Sequence, residues 1–195
     1  MADDAYVIDS AGDVIDESDA ISRDTIMVNF SYSLDANDVS RNYIEDLMLY
    51  GTDNIDATGN AKNNYIEGND GDNVLDGGTN DTLGGDTLYG GLGNDTMFGA
   101  DGDDTYIVDS VNDMVYEFSS NTGDDTIVSS VTWALDEFAN GGVENLTLTG
   151  TADISGAGNG LDNTITGNDG ANILFGNDGA DVLSGGIGND TLTGG

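Results

Sequence analysis

GDTLYGGLGNDTMFGADGDDTYI, the stretch Gly85–Ile107, decides the fold of this chain. It is built on a nine-residue unit set head to tail: Gly-Gly-x-Gly-x-Asp-x-U-x, with U a large apolar residue. Gly90–Phe98 meets that pattern throughout, and Gly99–Ile107 meets it with Ala100 in the second slot. The unit returns near the C-terminus as Gly167–Phe175, Gly176–Ser184 and Gly185–Thr193. A period this short means that each unit is one turn plus one strand, stacked on its neighbours to bury a shared core. The last three residues alternate out, in, out, so one apolar side chain per unit faces inward. That predicts a core ladder of Ile66, Leu75, Leu83, Leu88, Met97 and Tyr106, resumed by Ile165, Leu174, Leu183 and Leu192. Two units make one coil, and alternate strands form two parallel sheets. The expected fold class is all-β, a right-handed parallel β-roll or β-solenoid.

The turn has its own chemistry. Glycines at positions one, two and four allow positive φ, which swings backbone carbonyls toward a common point. The Asp at position six adds a carboxylate. Carbonyl and carboxylate oxygens together form the donor set that calcium takes, about six to eight of them per ion. The chain carries 38 acidic residues against 3 basic ones (Arg23, Arg41 and Lys62), for a net charge of −35. A polyanion of that density repels itself on compaction, yet 37% hydrophobic residues is too many for a simply disordered chain. Divalent cations reconcile the two, because the acids sit at fixed positions in the repeat. With no Cys and no His, disulfides, the usual zinc sites and histidine-based nucleophilic triads are excluded. No apolar run approaches the ~20 residues of a membrane span, and Met1-Ala2-Asp3-Asp4 does not read as a signal peptide. Nucleic acid and membrane insertion are therefore not expected.

A longer recurrence lies above the nonapeptide. DDAYVIDSAGDVIDE at 3–17 matches DDTYIVDSVNDMVYE at 103–117, and GNDGDNVL at 68–75 matches GNDGANIL at 167–174. The expected organisation is two blocks of about a hundred residues. The first, 1–98, holds spacer strands at 3–58 and nonapeptides at 59–98. The second, 99–195, holds a junction repeat at 99–107, spacer strands at 108–157 and nonapeptides at 158–195. The spacers predict strands at Tyr6–Asp9, Thr25–Leu34 and Asp46–Leu49, then Tyr106–Asp109, Thr126–Leu135 and Asn145–Leu148. A short helical turn is expected at Leu135–Asn140. The chain begins at the fifth position of a nonapeptide and stops at Gly194-Gly195, as a segment of a longer array would. Several repeats depart from the pattern: Asn64, Asn73, Asn163 and Asn172 replace the sixth-position Asp. Asn keeps an oxygen and loses the charge, so these turns should bind weakly or stay empty, closed by a backbone in which Asn accepts a left-handed conformation. Position nine carries Tyr89, Phe98, Ile107 and Phe175, and position seven Val74, Ile173 and Val182. So many outward apolar residues suggest that part of the roll is covered, by the preceding block's strands or by a partner surface.

On these residues the chain resembles the RTX (repeat-in-toxin, hemolysin-type calcium-binding repeat) region of large secreted bacterial proteins. Gly90–Ile107 and Gly176–Thr193 are the most specific parts. The resemblance implies several Ca2+ ions held in the glycine-rich turns, each between successive turns on one side of the roll. It implies carboxylate ligands at Asp86, Asp95, Asp104, Asp181 and Asp190, with Asp81 of the upstream Asp-Thr-Leu triplet as a further candidate. Carbonyl ligands would come from Gly90, Leu92 and Gly93, from Gly99, Asp101 and Gly102, from Gly176, Asp178 and Gly179, and from Gly185, Ile187 and Gly188. Asp4 would be a truncated half-site. It further implies type I secretion, folding on extracellular calcium, and a place at the bacterial cell surface in an adhesin-, S-layer- or toxin-like parent. The alternative is an accessory module of a secreted polysaccharide-modifying enzyme, lipase or protease, with a surface glycan as partner beside neighbouring repeats. Catalysis within the segment itself is not expected, since chance acidic pairs abound and no cleft is recognisable. Asp109, Asp113 and Glu117, repeated as Asp9, Asp13 and Glu17, read either as further ion ligands or as a solvated edge, with the edge preferred. Trp133 reads as packing between strands, with a sugar-stacking platform as the alternative.

Overall fold

The computed structural model describes residues 3–17, 22–34, 43–78, 85–117, 123–135 and 141–195. Among these residues nineteen short strands run parallel to their neighbours and wind into a β-solenoid. One face is a single ten-stranded sheet in the order β1 (Ala5–Val7), β2 (Thr25–Val28), β4 (Asp46–Leu49), β6 (Tyr65–Glu67), β8 (Thr87–Tyr89), β10 (Thr105–Val108), β12 (Thr126–Ser129), β14 (Asn145–Leu148), β16 (Thr164–Thr166) and β18 (Val182–Ser184). The opposite face is two sheets. Five strands run β3 (Tyr32–Ser33), β5 (Ala57–Thr58), β7 (Val74–Asp76), β9 (Thr96–Phe98) and β11 (Met114–Tyr116). Four follow as β13 (Trp133–Ala134), β15 (Gly156–Ala157), β17 (Ile173–Phe175) and β19 (Thr191–Thr193). Register confirms the arithmetic of the repeat: Thr87 pairs with Thr105, two nonapeptides along, and Leu88 with Tyr106.

The core is the expected ladder. Ile66, Leu75, Leu88, Met97, Tyr106, Ile165 and Leu174 are fully buried, each stacked on the equivalent residue one coil away. The last two rungs differ. Leu183 is half-buried and Leu192 exposed, because β18 and β19 each have a strand neighbour on one side only. Leu83 lies outside the described residues.

Spacer segments do not form a layer of their own. Their strands enter the same ten-stranded sheet, so one coil runs through both hundred-residue blocks. Two expected strands also break. Thr25–Leu34 becomes β2 and β3, and Thr126–Leu135 becomes β12 and β13, with a corner between them that carries the chain from one face to the other. In the second copy Ser129 makes the corner, its Oγ donating to Val131 O at 2.8 Å and accepting from Val131 N at 3.1 Å. Phe30 and Val131 still pack on the core through the bend, so the alternation continues where the strand does not. Residues 136–140 of the expected helical turn lie outside the described residues, and Leu135 ends in coil with its side chain buried.

The outward apolar residues have two fates. Phe98 stacks on Tyr116 of the next coil, centroids 5.0 Å apart and planes 11° apart. Val74, Ile173, Phe175 and Val182 stay exposed. No described strand lies over these residues, so the preceding block's strands do not supply the expected cover. Trp133 is buried in the core cluster, which supports the packing reading and removes it as a sugar platform.

Candidate metal centre

Each nonapeptide turn links two strands at an edge of the roll, so turns one coil apart lie on top of one another. In the four Asp-bearing turns that are described throughout, those of Asp95, Asp104, Asp181 and Asp190, the backbone takes positive φ at both position two and position four. The angles are 83° at Gly91 and 131° at Gly93, 77° at Ala100 and 134° at Gly102, 70° at Asn177 and 126° at Gly179, and 82° at Gly186 and 128° at Gly188. The sixth-position carboxylate folds back over the start of its own turn. A Cβ at Gly90 would lie 2.5 Å from Asp95 Oδ2. The same clash is built in between Gly99 and Asp104, Gly176 and Asp181, and Gly185 and Asp190. These first-position glycines are thus required by the carboxylate that occupies their side-chain space.

The other carboxylate oxygen ties the coils together. On one side Asn64 N donates to Asp86 Oδ1 at 2.7 Å, Asp86 N to Asp104 Oδ1 at 2.7 Å, and Asp104 N to Asp125 Oδ1 at 2.8 Å. Asp125 N then donates to Glu144 Oε2 at 3.0 Å. On the opposite edge Asn73 N donates to Asp95 Oδ1 and Asp95 N to Asp113 Oδ1. Asn163 N to Asp181 and Asn172 N to Asp190 repeat the contact in the second block. With Oδ1 engaged, Oδ2 of Asp95 and of Asp181 is buried with no hydrogen-bond partner. A buried carboxylate oxygen is strongly disfavoured without a compensating charge. A hard divalent cation would supply it, and turns rich in reoriented carbonyls offer the oxygens such an ion takes.

The family model for the RTX calcium-binding nonapeptide repeat (4 copies) matches residues 50–83, 81–115 and 157–192, together just over half of the chain. The chain belongs to this RTX repeat family. Neither a curated protein nor a solved structure matches it. RTX repeats bind calcium, and this β-solenoid of them is a structural calcium-binding module rather than a catalytic fold. The repeats are those of secreted bacterial proteins. Among the described residues no helix is long and apolar enough to cross a membrane.

Among the expected RTX ligands, Asp86, Asp95 and Asp104 are buried in the stack, and Asp181 and Asp190 are half-buried near its last coils. Leu92, Ile187 and Asp178 hold exposed side chains at the turn tips, leaving only their backbone to face the roll. Asp81 lies outside the described residues. Asp4 is exposed, its N–H donating to Asp24 Oδ1 at 2.8 Å.

Sequence reasoning missed the continuation of these ladders into the spacers. Asp113, Asp125 and Glu144 occupy sixth-position places without the complete Gly-Gly-x-Gly pattern before them. The signal was present as an acid two residues ahead of an inward apolar side chain: Asp113 before Val115, Asp125 before Ile127, Glu144 before Leu146. In the second block Asp113 and Glu117 are buried, which corrects the solvated edge. Asp104, Glu117 and Asp125 bring carboxylate oxygens within 4.8 Å of one another, a set able to hold a metal ion. Tyr106 Oη donates to Glu117 Oε2 at 2.5 Å. Asp4, Glu17 and Asp24 repeat the group with Tyr6 in the first block, where it is more exposed.

Burial acts on the acids as expected. It is the largest effect in pushing the Asp95 carboxyl up to about 7, against the Asn73 N–H that favours its charge. Asp125 is pushed up to about 8 by burial, with Glu117, Asp104 and Glu144 adding like charge. Glu144 and Asp109 are raised as well, burial again leading. At neutral pH Asp95 and Asp125 are thus open to a proton as well as to a cation.

Proposed function

We propose that this segment is a structural module that folds when calcium enters its Asp-bearing turns. The ions lie between stacked turns, held by the carboxylates of Asp86, Asp95, Asp104, Asp181 and Asp190 and by carbonyls of the glycine positions around them. The observation that carries this reading is the unpartnered, buried Oδ2 of Asp95 and Asp181, each set over a turn whose backbone is left-handed at positions two and four. Ligands from turns a coil apart meet only in the folded roll, so binding and folding are one equilibrium. At the low free calcium of a bacterial cytosol, a net charge of −35 keeps the chain open, as passage through a type I export channel requires. Outside, calcium at roughly millimolar levels drives it to the folded state by mass action. The parent is then a large secreted or surface-attached protein, and the module's neighbours are further coils of the same array.

A calcium titration followed by circular dichroism and small-angle scattering tests this. The β-signal should rise and the radius of gyration should fall together as calcium is added. A chain already compact and β-rich in excess chelator would defeat the reading.

A further inference from the structure

Four turns do not share the geometry of the Asp-bearing ones. They begin at Gly59, Gly68, Gly158 and Gly167, and each has Asn at both position two and position six. None has positive φ at either position two or position four, although Gly71 and Gly170 occupy the fourth place. The expectation that Asn closes these turns in a left-handed conformation is therefore corrected. Among the described asparagines only Asn177 takes one, and it belongs to an Asp-bearing turn.

Asn69 and Asn73 show what replaces it. Asn73 Oδ1 accepts from Asn69 N at 2.9 Å, so the oxygen that would ligate an ion is already engaged. Asn73 Nδ2 donates to Ile55 O at 2.6 Å and to Asn69 Oδ1 at 3.0 Å. Asn69 Nδ2 donates to Asp53 O at 3.0 Å, and Asn69 Oδ1 accepts from Gly71 N at 2.9 Å. Acceptor oxygens of two successive turns thus converge on N–H protons, as they would converge on a cation. The pattern repeats without exception. Asn60 and Asn64 bond Ile44 O and Glu45 O. Asn159 and Asn163 bond Val143 O and Glu144 O. Asn168 and Asn172 bond Ala152 O and Ile154 O. All eight side chains are buried.

Their placement is equally regular. In each block the Asn pairs fill the first two nonapeptides, one on either edge of the roll, and each reaches back to the coil before it. That coil is a spacer, whose turns lack the glycine pattern. We propose that the paired asparagines stand in for calcium at these seams, joining each nonapeptide run to the preceding spacer coil with neutral carboxamides and leaving those gaps closed to the ion. This rests on calcium occupying the Asp-bearing turns, and it assigns the complementary set.

Counting bound ions by native mass spectrometry of the calcium-saturated chain tests it. The Asn69→Ala/Asn73→Ala variant should keep the wild-type count, because its side chains face only the seam. Asn69→Gly/Asn73→Asp, which restores the Gly-and-Asp pattern there, should gain one ion. An ion lost in the alanine variant, or none gained in the restored one, would overturn the proposal. A second measurement needs no variant: in the wild-type chain with calcium, the side-chain amide protons of Asn69 and Asn73 should exchange slowly with solvent. Fast exchange would overturn it too. A wild-type chain that takes up no calcium would instead overturn the proposed function, and slow exchange at those amides would still stand.

Discussion

Gly93 carries two constraints at once. Its φ of 131° is open only to glycine, and an added Cβ would lie 2.5 Å from Gly71 O on the turn beneath. Relieving either moves the turn, and with it the carbonyls that face the neighbouring coil. Gly93→Ala should therefore cost ~1–3 kcal/mol from backbone strain alone, more once the clash is counted, and weaken calcium binding. Leu92→Ala, one residue away with its side chain exposed, should change stability by no more than about 0.5 kcal/mol. Urea unfolding at saturating calcium distinguishes the two, and equal losses would show that the turn tolerates a side chain the geometry forbids. The Asn turns have lost both the acid and the left-handed φ, so the two features travel together in this chain.

At the level of elements, one side chain per strand carries the core. Leu88 on β8 is fully buried between Ile66 and Tyr106 of the adjacent coils. Leu88→Ala should cost ~2–5 kcal/mol, as large-to-small changes in packed cores do. Leu192→Ala on β19, where the side chain is 45% exposed, should cost a small fraction of that, and comparable denaturation midpoints for the two variants would contradict the ladder. This ladder was legible in advance because a nine-residue period fixes which residue faces in. The corners between β2 and β3 and between β12 and β13 were not. Phe30 and Val131 keep the inward parity through the bend, so period-two alternation cannot register a change of face. The joined sheet was also hidden. In the ten-stranded sheet spacer strands follow one another by 19 to 21 residues, as Thr25 to Asp46 and Asn145 to Thr164 do, and on the opposite face by more, as Tyr32 to Ala57 and Trp133 to Gly156 do, so the extra residues disguise the 18-residue coil. The metal turns were readable from glycine and Asp alone. The seams were not, because Asn at position six looks like a weakened ligand until Asn at position two is seen to receive it.

Across the whole molecule, protons and calcium compete for the same buried carboxylates. Asp95 is held at about 7 and Asp125 at about 8 in the fold, against roughly 3.9 for an aspartate in an unfolded chain. A carboxyl whose pKa is raised by folding binds its proton more tightly in the folded state. Its contribution to stability is complete below the unfolded value and is lost as pH rises through the folded one. The folded form of the chelated chain, disfavoured at neutral pH, should therefore become less so on acidification from about pH 9 to about pH 5, gaining most below the lower raised value, where both carboxyls keep protons that the unfolded chain has released, while its net charge of −35 shrinks and its self-repulsion eases. Calcium acts in the opposite window. It neutralises the carboxylates that protons have left, so the stabilisation it adds should be greatest above pH 8 and should fall as pH drops below about 7. The folded fraction read by circular dichroism in chelator and in calcium across that range should converge toward acid and diverge toward alkali. A chelated chain that loses stability on acidification would mean that these acids are not buried as charges at all, and that the turns are held open to water in the absence of the ion.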